Sequence, residues 1–119
     1  MGWAVDFHEA FEDEFADWPD GAKIELAAMV GLLKEFGPHL GRPHADTLNG
    51  SRHANMKELR FKAADGAWRV AFAFDPERHA ILLVGGDKSG SSEKRFYRQL
   101  LERADRRFQN HLDAMKGRI

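Results

Sequence analysis

The spacing of apolar residues changes several times along the chain, and each change marks an element boundary. Trp3, Val5 and Phe7 alternate with Ala4 and Asp6, the two-residue period of a half-buried strand. From His8 the period lengthens. Phe7, Phe11, Phe15 and Trp18 recur every three or four residues, with Glu9, Glu12, Asp13 and Glu14 on the other side, which predicts a short amphipathic helix. Pro19 closes it, because proline disfavours helical geometry in the preceding residue and suits the first turn of a new helix. A second helix is predicted over 19–36, with Ile24, Ala27, Ala28, Leu32 and Phe36 as its buried stripe and Gly37-Pro38 as its stop.

Over 37–55 no period persists, and Gly, Pro, His and Asn predict a surface connection with at most a helical turn near 45–48. Three strand-like runs follow, 56–62, 67–75 and 78–86, joined by Ala64-Asp65-Gly66 and Pro76-Glu77, which are hairpin-length connections. They read as an antiparallel meander. Gly85 to Ser92 forms a loop, and Ser91 or Ser92 caps a long helix whose buried stripe is Tyr97, Leu100, Leu101, Ala104, Phe108, Leu112 and Met115, with Gly117 as its end. The predicted fold class is α+β. A small, mostly antiparallel sheet, the N-terminal strand plus the meander, carries two N-terminal helices and a long C-terminal helix on one face, and its other face is open.

Composition narrows the function. The 119 residues, 43% of them hydrophobic, suit one domain over 1–119. There is no cysteine, which excludes disulfide scaffolds, thiolate catalysis and Cys-ligated zinc. The longest uncharged apolar run, 26–33, is too short to span a bilayer, and the N-terminus lacks the basic and apolar regions of a secretory signal, so the reading is cytoplasmic with no membrane partner. The net charge of −1 conceals a division. Residues 1–36 hold nine acids against Lys23 and Lys34, whereas 37–119 hold sixteen Lys and Arg against ten acids and five of the six histidines. Such a dipolar chain can present an anion-binding face, although solvated acidic and basic helices account for the same asymmetry.

The candidate chemistry lies on the meander. Glu58 and Arg60 share a strand face with Met56 and Lys62, opposite Lys57, Leu59 and Phe61, while Arg69 stands between Trp68 and Val70 with small Ala71 and Ala73 beside it, which predicts a less buried face. Arg60 and Arg69 are then neighbours across the hairpin, the third strand delivers Lys88 after Gly85-Gly86, and Lys94, Arg95, Tyr97 and Arg98 arrive from the last helix. Several cations, a carboxylate and a phenol suit an RNA phosphodiester, whose 2′-hydroxyl attacks the adjacent phosphate when deprotonated and aligned. Glu58 is the candidate base, Arg60 and Arg69 the cations for the phosphorane, and Lys88 or His53 the acid. The same Glu and Arg alternation also describes a solvated face with cross-strand pairs. His39, His44 and His53 lack the spacing of a zinc motif, so no metal and no cofactor is expected.

The segments GlyProHisLeuGlyArgPro at 37–43, Leu48-Asn49-Gly50-Ser51, Met56-Lys57-Glu58-Leu59-Arg60, Trp68-Arg69-Val70-Ala71-Phe72 and Gly85-Gly86-Asp87-Lys88 together resemble the HigB-like branch of the RelE/ParE toxin superfamily. The resemblance implies a RelE-like fold and the toxin of a type II toxin–antitoxin system, a ribosome-dependent endoribonuclease that cuts mRNA without a metal. It places Arg69 at the catalytic arginine, Lys88 at the basic residue after the last core strand, Glu58 and Arg60 where relatives carry a base and a further phosphate-binding cation, and Tyr97 at an aromatic that holds a nucleobase. Lys57, Lys62, His53, Lys94, Arg95 and Arg98 are then RNA-binding candidates. The implied partners are a cognate antitoxin carrying a helix-turn-helix, the ribosome and mRNA. Two other readings stay open: a ParE-like toxin that poisons DNA gyrase by contact and cleaves nothing, and an inactive antitoxin-binding member.

Overall fold

The computed structural model describes residues 2–90 and 92–117. Strand β1 (Ala4–Phe7) leads through α1 (Glu9–Phe15) and α2 (Asp20–Phe36) to a 3-10 turn at Gly37–His39. Then come β2 (Ala45–Thr47), the meander β3 (Lys57–Ala63), β4 (Gly66–Phe74) and β5 (His79–Asp87), and finally α3 (Glu93–Lys116). The five strands form one sheet in the order β1-β5-β4-β3-β2, with β1 parallel to β5 and every other pair antiparallel. This is the α+β arrangement that the periodicity predicts, with one strand more. Ala45–Thr47 is a strand where a helical turn was expected: it pairs with Leu59, Glu58 and Lys57 of β3. Three residues of mixed polarity carry no period of their own, so their conformation is set by the edge they join.

The sheet is covered on both faces, not on one as the sequence reading has it. On one side Phe11, Leu26 and Leu33 of α1 and α2 pack on Val70, Phe72 and Leu82. On the other, Leu100, Ala104 and Phe108 of α3 pack on Ala71, Ala73, Ile81 and Leu83. The small Ala71 and Ala73 mark the face that α3 approaches closely, not a solvated one. The stripe of α2 also differs from the expected one, because Ala22, Leu26, Met29 and Leu33 are buried while Ile24 is 67% and Phe36 46% exposed, with Ala27 and Ala28 exposed as well. Apolar residues surround much of this helix, so its periodicity alone does not choose a face. The sheet selects the Leu and Met side, whose larger side chains each gain about 1.5–3 kcal/mol on full burial.

Strand β5 contains a bulge that governs everything after it. Ala71 pairs with Val84 but Phe72 pairs with Leu82, leaving Leu83 as an extra residue. Leu83 and Val84 therefore both face α3, and from that point the inside and outside positions of the strand are exchanged. Gly85 then faces α1 and α2, where a Cβ would lie 2.8 Å from Val70 Cγ2 and 3.1 Å from the Trp18 ring. Its missing side chain leaves room for Trp18 to lie against Trp68, with ring centroids 4.6 Å apart.

Helix ends and cross-ties complete the frame. Ser92 caps α3 by accepting from the Arg95 N–H, while Ser91 lies outside the described residues. Arg107 ties α3 to both neighbours, since its Nη1 donates to the Leu83 carbonyl and to Glu14, and its Nη2 donates to the second Glu14 oxygen at 2.7 Å. His8 caps α1, its Nδ1 accepting from the Ala10 N–H at 3.1 Å. A histidine can cap in this way only while Nδ1 is unprotonated. Burial, followed by the neighbouring Arg107 and His111, holds the His8 pKa below its ordinary 6.5, against partial opposition from Glu9 and Glu14.

A depressed histidine pKa means that the unfolded chain binds the proton first, so the stabilisation is present above about pH 6.5 and is lost as pH falls through the lower folded value. Chemical denaturation from pH 7.5 to 5 will show stability falling with acid. In His8→Asn, which caps without titrating, the part of that fall below about pH 6.5 will shrink.

Candidate functional site

Cross-strand register brings the predicted residues together. Arg60 of β3 stands directly opposite Arg69 of β4, and Glu58 opposite Ala71, so Glu58, Arg60 and Arg69 occupy one face of the sheet. That face lies under the first turns of α3, which supply Tyr97. The Tyr97 hydroxyl donates to Glu58 Oε1 at 2.9 Å and accepts from Arg69 Nε at 3.2 Å. Arg60 Nη1 donates to Glu58 Oε2 at 2.8 Å, and Arg69 Nη1 donates to the Trp68 carbonyl at 2.9 Å. Arg69 Nε lies 4.0 Å from Glu58 Oε1. Among the described residues Arg69 Nη2 has no hydrogen-bond partner, which leaves one edge of the guanidinium for a ligand.

Burial changes the reading of two of these groups. Glu58 is 4% and Arg69 7% exposed, where the sequence suggested a solvent-facing row. Two arginines directly opposite each other would repel. One carboxylate joined to Arg60 and facing Arg69 offsets that repulsion and also holds Tyr97, so the cluster is a single hydrogen-bonded unit. Burial, and then the bond to Glu58, push the Tyr97 hydroxyl above its ordinary pKa of 10, only partly opposed by Arg69. Tyr97 is thus a neutral donor at neutral pH, suited to hold a carboxylate or a phosphate oxygen and poorly suited to take a proton.

Lys88 reaches this face because of the β5 bulge. Gly86 pairs with Arg69 and faces α3, and Lys88 lies two residues further along the same alternation, its N–H bonded to the Ala67 carbonyl. Strict alternation from Ile81 would have sent both to the opposite side. The Lys88 ammonium meets Glu93 in the first turn of α3 at 3.0 Å.

The other candidates are dispersed. Lys62 is exposed at the end of β3, beyond Arg60 on the same face. Lys94, Arg95 and Arg98 are exposed on the first turns of α3, around Tyr97. Lys57 points to the other side of β3, where its ammonium bonds the Pro38 carbonyl. His53, the alternative acid, packs edge-on against Phe108, eleven residues along α3 from Tyr97, so it does not join the cluster. Its loop is tied to α3 through Asp105, which accepts from the Ser51 hydroxyl and the Arg52 N–H. Among the described residues no group of three or more His, Asp or Glu is gathered as a metal-ligand set. No helix among them is long and apolar enough to cross a membrane.

Beside the cluster lies a cleft of about 470 Å³, bordered by Arg60 and Arg69 and also by Glu25 and Met29 of α2 and by Phe61. Because the edge of β3 is last bonded where the Arg60 N–H meets the His44 carbonyl, the cleft can turn round the free edge beyond it and take residues from both faces of the sheet. Sequence reasoning missed Glu25 and Met29, since nothing in the spacing of α2 relates them to the meander.

The sequence holds one tyrosine, so phenolate absorbance titrates Tyr97 alone. Its midpoint will lie above 10 in the wild type and will move down in Glu58→Gln, which keeps the shape and removes the charge. An unchanged midpoint, with circular dichroism confirming the fold, would show that the phenol does not meet this carboxylate.

Comparison with known proteins converges on one group. Residues 13–109 match the family model described as Phage derived protein Gp49-like (DUF891). The chain is 46% identical over 96 residues, 81% of its length and 82% of the relative's, to a protein named as the toxin HigB3 of Mycobacterium tuberculosis. It is 38% identical over 117 residues, 94% of its length but only 55% of the relative's, to one named as the toxin HigB2 of the same organism. Its backbone is similar to that of a doubly arginine-substituted variant of E. coli toxin RelE in the free state, with a TM-score of 0.64 at 15% identity, covering 90% of this chain and 98% of that one. It is also similar to a chain of the archaeal RelE–RelB complex from Pyrococcus horikoshii, with a TM-score of 0.54 at 16% identity, covering 76% of this chain and all of the other. The family match and these relatives lead to one assignment: the chain belongs to the Gp49-like family, within the HigB-like branch of the RelE/ParE toxin superfamily.

Proposed function

We propose that this HigB-like protein is the toxin of a type II toxin–antitoxin system and that it cuts mRNA on the ribosome by metal-independent transesterification. The observation that carries the reading is the pair of facing arginines, Arg60 and Arg69, bound into one unit with Glu58 and Tyr97 beside an open cleft. Guanidinium groups bind phosphate oxygens through two parallel hydrogen bonds and stay charged throughout, as stabilisation of a phosphorane requires.

The chemistry assigns a role to each group. Arg69, anchored through Nη1 and Nε, presents Nη2 to the scissile phosphate. An incoming phosphate competes with Glu58 for Arg60 and so releases Oε2, which takes the proton of the 2′-hydroxyl. The 2′ oxygen then bonds to phosphorus as the bond from phosphorus to the 5′ oxygen breaks, and the Lys88 ammonium gives the departing oxygen a proton. The products are a 2′,3′-cyclic phosphate and a 5′-hydroxyl. Ribosome binding supplies the alignment that so small a site cannot impose on a flexible strand. The partners are then the ribosome with its mRNA and a cognate antitoxin carrying a helix-turn-helix. The likeness to a chain of the archaeal RelE–RelB complex supports an antitoxin of some kind.

The test maps 5′ ends of a defined mRNA in a reconstituted translation reaction, with and without ribosomes. Since Arg69 is buried, Arg69→Lys accompanies Arg69→Ala and both are checked by thermal melting. Loss of the Nη2 donor in a folded Arg69→Lys will lower cleavage by at least about 100-fold, the scale of losing one transition-state donor. Full cleavage by that variant would remove Arg69 from the mechanism. A wild type that cuts nothing while transcripts stay intact and gyrase is trapped on DNA would replace the nuclease reading by a gyrase-binding one.

A further inference from the structure

Glu25 is out of place in a phosphate site. It lies on α2, half-buried, and lines the same cleft as Arg60, Lys62 and Arg69, yet among the described residues it makes no hydrogen bond or ion pair. Two of the cations around it are committed elsewhere, Arg42 being bonded to Asp46 at 2.6 Å and Arg60 to Glu58, and Lys62, which also lines the cleft, is not paired with it. A carboxylate among cations weakens the attraction for a phosphate, so electrostatics alone gives no reason for one here. It becomes useful when the ligand brings its own hydrogen-bond donors.

The walls of the cleft describe such a ligand. Met29 and Phe61 supply apolar surface, Arg60 and Arg69 hold a phosphate at one side, and Glu25 supplies two acceptor oxygens at another. At about 470 Å³ the cleft falls within the roughly 300–1,000 Å³ typical of ligand sites. We propose that this cleft is a nucleobase subsite for guanine, in which Glu25 reads the base next to the scissile phosphate. Unstacked RNA bases are read at their Watson–Crick edge. Guanine alone presents two adjacent donors there, N1–H and the N2 amino group, which match the two oxygens of a carboxylate. Adenine and cytosine each offer one amino group beside an acceptor nitrogen, which Glu25 would repel, and uracil offers one imino donor between two carbonyls. A glutamine at position 25 would carry one donor and one acceptor and would favour adenine or cytosine instead.

This inference rests on the RNA-cleaving reading of the neighbouring cluster, and two measurements separate their fates. In the first, the Met29 methyl resonance of the purified protein is followed while GMP, AMP, CMP and UMP are titrated. GMP will shift it at a concentration about tenfold lower than the other three, and Glu25→Gln, its fold checked by melting, will abolish the difference. A resonance that responds to none of them, or to all alike, overturns the guanine subsite whether or not the protein cuts mRNA. In the second, cleavage positions are mapped on ribosome-bound messages. Wild-type cuts will be enriched beside guanine, and in Glu25→Gln the preference for guanine over adenine will fall about tenfold. Cuts with the same base profile in both proteins overturn the inference and leave the nuclease intact. A guanine-selective response at Met29 without any cleavage overturns the nuclease and leaves the subsite.

Discussion

A cation on a strand covered from both sides must be given partners before the sheet can close over it, and Arg69 is such a cation. Removing a guanidinium from water costs several kcal/mol unless polar atoms surround it, and leaving it without its counter-charge costs on the order of 3–5 kcal/mol. Its partners come from three places in the chain: the carbonyl of Trp68, the hydroxyl of Tyr97 on α3, and the carboxylate of Glu58 on the adjacent strand. None of the three is local except the first. The β3–β4 register and the seating of α3 must both be right before Arg69 is satisfied, so the cluster reports on the tertiary fold as much as it serves a site.

That dependence explains the division of labour between the two layers. Large side chains of α1 and α2 meet Val70, Phe72 and Leu82, giving the thicker core. The α3 side is built over alanines and admits a polar group at one end, where Tyr97 descends to Arg69 while Phe108 and Leu100 seal the rest. The Arg107 bridge to Glu14 and the Leu83 carbonyl fixes α3 about three turns further along, and Asp105 fixes the 51–52 loop on its side. A helix held at several points carries its N-terminal tyrosine at a defined height above the sheet. A geometry of this kind is what a preorganised anion site needs.

Most of the architecture was legible in the sequence because its elements are long enough for their periods to speak. β1, α2, the meander and α3 each lie within two residues of where the spacing puts them, while α1 ends three residues before Trp18. What escaped was set by partners. Ala45–Thr47 becomes a strand only because β3 offers it an edge. The orientation of α2 is chosen by the sheet, since Ile24 and Leu26 are equally apolar and point to different sides. Ala71 and Ala73 suggested an open face because small residues look like poor burial material, although the long apolar stripe of α3 had to rest on something and small residues are what allow a helix to come near. At the site, the grouping of Glu58, Arg60, Arg69 and Tyr97 could be anticipated from parity and strand order. Their burial could not, because it depends on that same helix. Glu25 and the Asp105 tie join segments far apart in sequence, and no local pattern announces them.

The extra residue at Leu83 sets the side on which the end of β5 is read. A strand counts in twos, and one unpaired residue shifts the count for everything downstream, so Gly86 and Lys88 share a face with Arg69 while the four apolar residues 81–84 still fill both cores. Length in this stretch is therefore constrained by parity more than by size. Relatives that gain or lose residues between Ile81 and Lys88 can keep the lysine beside the arginine only if they do so two at a time, or if they remove the bulge in the same event. Substitutions can accumulate here one by one, but single insertions and deletions cannot, and the number of residues from Ile81 to Lys88 should drift far less among relatives than the side chains that fill it.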